Sequence, residues 1–156
     1  MKKQLPLYFL GIVCALLVLP GIAADAIAGN KKQSSYELMS SENKAMQDDA
    51  SLNPAMFWVG DGEALWQAKT GAKQESCASC HGDVKKSMRG VATQFPKMLH
   101  GKLQTLEGQI NQCREVRQGA PKLAYESKDL LALTALIAFQ SKGMPIAVKE
   151  TAANKT

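Results

Sequence analysis

Cys77-Ala78-Ser79-Cys80-His81 is the stretch on which the reading of this chain turns. Two thiols two residues apart, followed at once by an imidazole, form the Cys-x-x-Cys-His pattern of covalent haem attachment. Sulfurs at this spacing reach the two vinyl carbons of one porphyrin, and His81 is then carried under the iron as proximal ligand. Two other chemistries use paired cysteines. A redox pair of the thioredoxin kind needs a strand-then-helix setting, and no such pattern surrounds Cys77. A zinc site needs further Cys or His nearby, and the chain's other histidine is His100.

Working outward, three helices are expected. The first spans about residues 61–70, with Asp61 as cap and Gly71 as stop; Ala64, Leu65, Trp66 and Ala68 give it a packing face. The second spans about 106–118, capped by Thr105 and terminated by Gly119-Ala120-Pro121. Leu103, Leu106, Ile110 and Cys113 fall at steps of three and four, one helical stripe, so Cys113 is expected to point inward. The third spans about 128–140, capped by Ser127 and stopped by Gly143 and Pro145. Leu130, Leu133 and Ile137, with Leu131, Ala135 and Ala138, make it apolar over much of its circumference, as in a helix buried on more than one side. No stretch alternates as a half-buried strand does. The expected fold is therefore all-α: a single class I-like cytochrome c domain over about 53–148, its end helices crossing beside the haem.

The two ends read differently. Lys2 and Lys3, the apolar run Leu5 to Leu19, and small residues through Ala28 have the layout of a cleavable export signal. Cleavage after Ala23, Ala24, Ala26 or Ala28 would leave no stable membrane span, and the run is short for one. The mature chain is thus expected in the periplasm. Of the five net positive charges, residues 1–28 carry one, since Lys2 and Lys3 are offset by Asp25. Export makes nucleic acid an improbable partner despite this charge, which would instead weakly steer anionic small molecules or acidic proteins. Residues 29–52 are polar and read as an extended arm with little core; 149–156 form a polar tail.

Cysteine arithmetic raises one question. Four cysteines are present; Cys14 falls in the export signal, and Cys77 and Cys80 are used by the haem motif. Cys113 is left over in an oxidising compartment. It can be the distal iron ligand, a buried thiol packed as a small hydrophobe, or half of an intermolecular disulfide. The other candidates for the distal side are Met88, Met98, His100 and Met144. Met88 follows His81 too closely to be expected across the ring, Met144 lies beyond the last helix, and Met98 and His100 are expected in a solvated polar turn near Pro96 and Gly101. Arg114 and Arg117 flank Cys113, suited to a thiolate or to propionates.

Several longer strings resemble the SoxA family, the larger haem subunit of the SoxAX cytochrome of sulfur-oxidising bacteria. They are Met46-Gln47-Asp48-Asp49, Asn53-Pro54-Ala55-Met56, Gly62-Glu63-Ala64-Leu65-Trp66, Cys77 through Asp83, Ser87 through Ala92, Ile110-Asn111-Gln112-Cys113-Arg114, Leu123 through Ser127, Gln140-Ser141-Lys142-Gly143 and Pro145-Ile146. Together they run from about Tyr36 to Val148. The resemblance implies one covalently bound haem c held by Cys77 and Cys80, with His81 and Cys113 as axial iron ligands. It implies a SoxX-like cytochrome and a SoxY-type carrier as partners, and thiosulfate as the molecule conjugated oxidatively to a carrier cysteine.

The resemblance also limits what this chain is expected to do. The matching strings are those of the N-terminal cytochrome half of SoxA, whereas the catalytic haem belongs to the C-terminal half, to which nothing in this sequence corresponds. Gln109 stands one turn before Cys113, where the resemblance leads one to expect Arg. The chain is therefore expected mainly to carry an electron-transfer haem, as a subunit of an L-cysteine S-thiosulfotransferase rather than as the whole enzyme. The alternatives are a stand-alone periplasmic electron-transfer cytochrome without thiosulfate chemistry, and a haem-based sensor.

Overall fold

Helix α2 (Ala55–Gln67) and helix α6 (Lys128–Phe139) are the two longest elements of the computed structural model, which describes residues 35–149. They pack against each other over a shared apolar face. α6 buries Leu130, Ala132, Leu133, Leu136 and Ile137, and α2 buries Val59, Gly62 and Trp66 at steps of three and four. Gly62 sets how closely they approach. A Cβ on it would run into the Ala132 carbonyl oxygen and lie 2.8 Å from the Leu136 Cβ. Leu131 and Ala138 of α6 are exposed, so the second apolar side expected for this helix is not buried within the described residues.

α2 starts six residues before the expected Asp61. Gly60 and Gly62 each weaken intrinsic helicity by about 1 kcal/mol relative to Ala, which hides the first half of the helix from a local reading. Burial of Val59 and Trp66 on α6 outweighs that preference. Asp61 is consequently not a cap; it pairs with Lys128 Nζ at 3.0 Å on an exposed surface, where such pairs contribute little. The start is fixed instead by Asn53, whose Oδ1 accepts from the Ala55 N–H at 2.9 Å. Ser127 occupies the cap position of α6 but makes no side-chain cap bond, and its hydroxyl is buried without a partner.

Between these helices lie α3 (Cys77–His81), α4 (Val84–Ser87), a hairpin and α5 (Leu106–Cys113). α5 begins where expected, with Thr105 Oγ1 accepting from the Gly108 N–H at 3.1 Å. It continues as a π turn over Arg114–Gln118 and ends at Gly119, which is left-handed with φ 64°. Leu106 and Ile110 are buried, but Leu103 is 58% exposed. Leu103 departs from the stripe because it belongs to a strand. β1 (Lys97–Leu99) and β2 (Lys102–Gln104) form an antiparallel pair with Met98 opposite Leu103. Three residues per strand are too few to show alternation. The turn residues His100 and Gly101 both have positive φ, as a tight two-residue hairpin requires.

The described part of the polar arm is helical where an extended segment was expected. A 3₁₀ turn at Ser35–Leu38 precedes α1 (Ser41–Asp48), which buries no residue. The reason is local: Ser40 Oγ caps the Asn43 N–H at 3.3 Å and Glu42 sits in the first turn. Lys142 holds the far end, bonding the carbonyls of Gln47 and Asp48 and the Asp48 carboxylate, each at 3.3 Å. The Tyr36 hydroxyl donates to Asp48 at 2.6 Å, and that bond, first among its causes, holds the carboxyl below its usual range.

The expected export signal lies outside the described residues, as does most of the tail. Among the described residues no helix is long and apolar enough to cross a membrane.

Gly62→Ala is expected to destabilise the protein by about 3 kcal/mol through overpacking against backbone that cannot yield. Gly60, around which nothing lies within 4 Å, provides the contrast: Gly60→Ala should stabilise by about 0.5–1 kcal/mol. Denaturant titration of the two variants beside the parent protein checks both.

Candidate functional site

α3 presents the two thiols and the imidazole on one short, heavily fixed turn. Ser76, buried at 6% exposure, opens it with a capping box. Its Oγ accepts from the Ser79 N–H at 3.0 Å, and the Ser79 side chain accepts from the Ser76 N–H at 3.0 Å. Gly82, at φ 64°, closes it. From α2, the buried Trp66 indole N–H donates to the Gly82 carbonyl at 3.0 Å, and its ring lies 5.8 Å from the His81 ring. The core helix thus holds the C-terminal end of the motif directly.

Backbone bonds hold the other end. The turn after α2 carries Gly71 at φ 69°, and a Cβ there would collide with the Gln118 carbonyl and lie 2.6 Å from the Ala120 nitrogen. Beside it, Ala72 N–H bonds Gly119 O and Lys73 N–H bonds Gln118 O, both at 3.2 Å. The approach to Cys77 is therefore stitched to the exit from the π turn, which begins directly after Cys113.

The result is a cavity of about 360 Å³ that brings Cys77, Cys80, His81 and Cys113 together. Leu106 and Ile110 of α5 and Leu133 and Ile137 of α6 supply its apolar wall, while Lys97, Arg114 and Arg117 bring positive charge to its lining. Cys77 and Cys113 are half-buried and Cys80 is exposed, and none of the three is in a disulfide. Gln109 Nε2 donates to Cys113 Sγ at 3.5 Å, and Gln118 Nε2 to Cys77 Sγ at 3.8 Å. Burial pushes the Cys77 thiol up from its ordinary pKa, against the opposing Gln118 bond and Arg114 charge. Gln118 is itself buried, and its Oε1 has no hydrogen-bond partner.

The remaining sulfur and nitrogen candidates divide. Met88 lines the cavity and is buried; its closeness to His81 in sequence argues only against a place across the ring. Between them lie Gly82, at φ 64°, and α4, capped by Asp83 and followed at once by Met88. Met98 lies on β1, and His100 is exposed in the hairpin turn beside a different groove. Met144, past α6, is 39% exposed. None of these three lines the cavity. Gln118, Met88 and Lys97 are lining residues that the sequence pattern does not place there; the only signal for Gln118 is a polar residue falling inside an otherwise structural helix end.

These residues suit a haem. Two thiols two residues apart, an adjacent imidazole, an apolar wall and basic groups for propionates meet at one cavity. Among the described residues no group of three or more His, Cys, Asp or Glu is placed to hold a metal ion directly.

Residues 61–146 match the family model described as SoxA/TsdA, cytochrome c domain. The chain belongs to this family. Its SoxA relatives include the L-cysteine S-thiosulfotransferase subunit SoxA of Rhodovulum sulfidophilum, 36% identical over 118 residues, covering 74% of this chain. The subunit of the same name from Pseudaminobacter salicylatoxidans is 35% identical over 107 residues, 67% of this chain. The chain spans only 41% and 37% of the lengths of these two relatives. The crystal structure of SoxXA from P. pantotrophus superimposes with a TM-score of 0.69 at 33% identity, covering 77% of this chain and 46% of that one. Membership in a cytochrome c domain family carries haem c with it.

Ser76→Ala removes the half of the reciprocal cap in which Ser76 Oγ accepts from the Ser79 N–H, leaving the Ser76 N–H to Ser79 Oγ bond, and is expected to cost about 1 kcal/mol. The loss should appear in denaturant titration as a lower midpoint without a change in slope.

Proposed function

We propose that this chain is a SoxA-type periplasmic haem subunit that carries electrons in thiosulfate oxidation. The observation that carries this reading is the meeting of Cys77, Cys80, His81 and Cys113 at one apolar cavity edged by Arg114 and Arg117. Cys77 and Cys80 would hold one haem through thioethers, and His81 and Cys113 would bind its iron. When bound, the haem supplies a one-electron carrier. The chain's own residues do the rest. Trp66 restrains the His81 ring, and Leu106, Ile110, Leu133 and Ile137 exclude water. Arg114, Arg117 and Lys97 offset propionate charge. A thiolate on the iron favours the ferric state relative to Met ligation.

The names of the relatives support the wider assignment: subunit of an L-cysteine S-thiosulfotransferase, with a SoxX-like cytochrome as partner, a SoxY-type carrier as acceptor and thiosulfate as substrate. The layout of residues 1–28 supports export to the periplasm. With Cys77 and Cys80 in thioethers and Cys113 on iron, no cysteine outside the leader is free to carry a sulfur intermediate. Conjugation therefore falls to the second haem half of the assembly, and this chain relays the electrons.

Two measurements test this. The ferric protein should give a low-spin electron paramagnetic resonance signal of thiolate type, lost in Cys113→Ala, while Cys113→Met should raise the reduction potential. An unchanged Cys113→Ala spectrum would place the distal ligand elsewhere, with Met88 next to be replaced. Carrier-bound thiosulfonate, read by intact mass, should be absent with the chain alone and appear once a SoxX-like cytochrome and a polypeptide bearing the second haem half are added. Electron transfer without conjugation in that mixture would instead identify a stand-alone electron-transfer cytochrome.

A further inference from the structure

Gln109 lies half-buried on the cavity wall, one helical turn before Cys113 on α5. Its amide nitrogen donates to the Cys113 sulfur at 3.5 Å. The pairing follows from i, i+4 geometry on a helix fixed at its start by Thr105 and along its length by the burial of Leu106 and Ile110. The π turn begins at the next residue, so Cys113 closes the regular part of α5.

On a free thiol this contact is weak. On a metal-bound thiolate it acts on the metal, because an N–H directed at sulfur draws electron density from it and weakens its donation to the iron. The ferric state, which depends more on that donation, loses more than the ferrous state. A neutral amide does this without adding charge, and so without altering the balance that Arg114, Arg117 and Lys97 set around the propionates.

We propose that Gln109 tunes this haem: its amide holds a hydrogen bond on the Cys113 sulfur and keeps the reduction potential above that of an unbonded thiolate-ligated site. The proposal rests on Cys113 as iron ligand. Gln109 is a positioning and tuning residue that acts through Cys113 and touches no substrate.

The test uses the full haem-loaded protein and the Gln109→Leu variant, which keeps the side-chain bulk and removes the donor. Redox titration, ferric electron paramagnetic resonance and the iron–sulfur stretch by resonance Raman are read together. The thiolate-type signal should persist, the stretch should move to higher frequency, and the ferric/ferrous equilibrium should shift about tenfold toward ferric, which is 59 mV for one electron. Gln109→Arg, which retains an N–H donor, should return the stretch to the parent frequency. If Gln109→Leu does not take up haem, Gln109→Met, of similar length, uncharged and without an N–H donor, should show the higher stretch. A parent-like potential and stretch in the donorless variant would overturn the proposal while leaving Cys113 as ligand. A parent protein with no thiolate signal, unchanged in Cys113→Ala, would overturn the ligand reading and the proposal with it.

Discussion

The short backbone contact between residues 71–73 and 118–120 is the constraint on which the site depends. Gly71 fits there because it has no Cβ, and the bonds from Ala72 and Lys73 to Gly119 and Gln118 fix the two segments together. One segment leads into Cys77 and the other leads out of the turn that follows Cys113. Residues more than thirty positions apart therefore reach one cavity through a rigid backbone join, not through the side chains that line it. The core pair α2 and α6 secures the opposite side. Trp66 holds Gly82 at the far end of the motif, while Leu133 and Ile137 of α6 form part of the cavity wall.

A core of this size has little apolar reserve. The buried cluster is drawn mainly from α2, α5 and α6 and borders the cavity directly, with Met88, Leu106, Ile110, Leu133 and Ile137 belonging to both. A large apolar group seated there would complete the core as well as supply chemistry, which small domains commonly require of a prosthetic group or staple. The polar groups at the cavity are few and specific. Two glutamine amides each face a cysteine sulfur, and the basic side chains lie at the lining. With Cys113 on the iron as proposed, sulfur donation, amide hydrogen bonding and net charge would be separable contributions to the potential of the haem.

Much of this was legible in the residues, for identifiable reasons. Thr105, Gly119 and the Leu106–Ile110–Cys113 spacing define α5 because cap, stop and stripe agree. α6 is equally clear because its apolar run is long and bounded by Ser127 and Gly143, even though the Ser127 hydroxyl turns out not to cap. Where local signals conflicted, the pattern misled. Two glycines masked the first turns of α2, whose helicity comes from packing against Ala132 and Leu136. A polar run masked α1, and strands of three residues masked the hairpin that takes Leu103 off the helical stripe. Gln109 was visible as one turn before Cys113, but its donor role depends on a rotamer that spacing does not specify.

The central claim is that Cys77 and Cys80 attach one haem in this domain. Intact-mass measurement of the protein, expressed with a working cytochrome c maturation system and then treated with a thiol alkylating reagent, tests it most directly. The expected result is the polypeptide mass plus one haem, with Cys77 and Cys80 unreactive. A chain of polypeptide mass alone, alkylated at both cysteines, would contradict the claim.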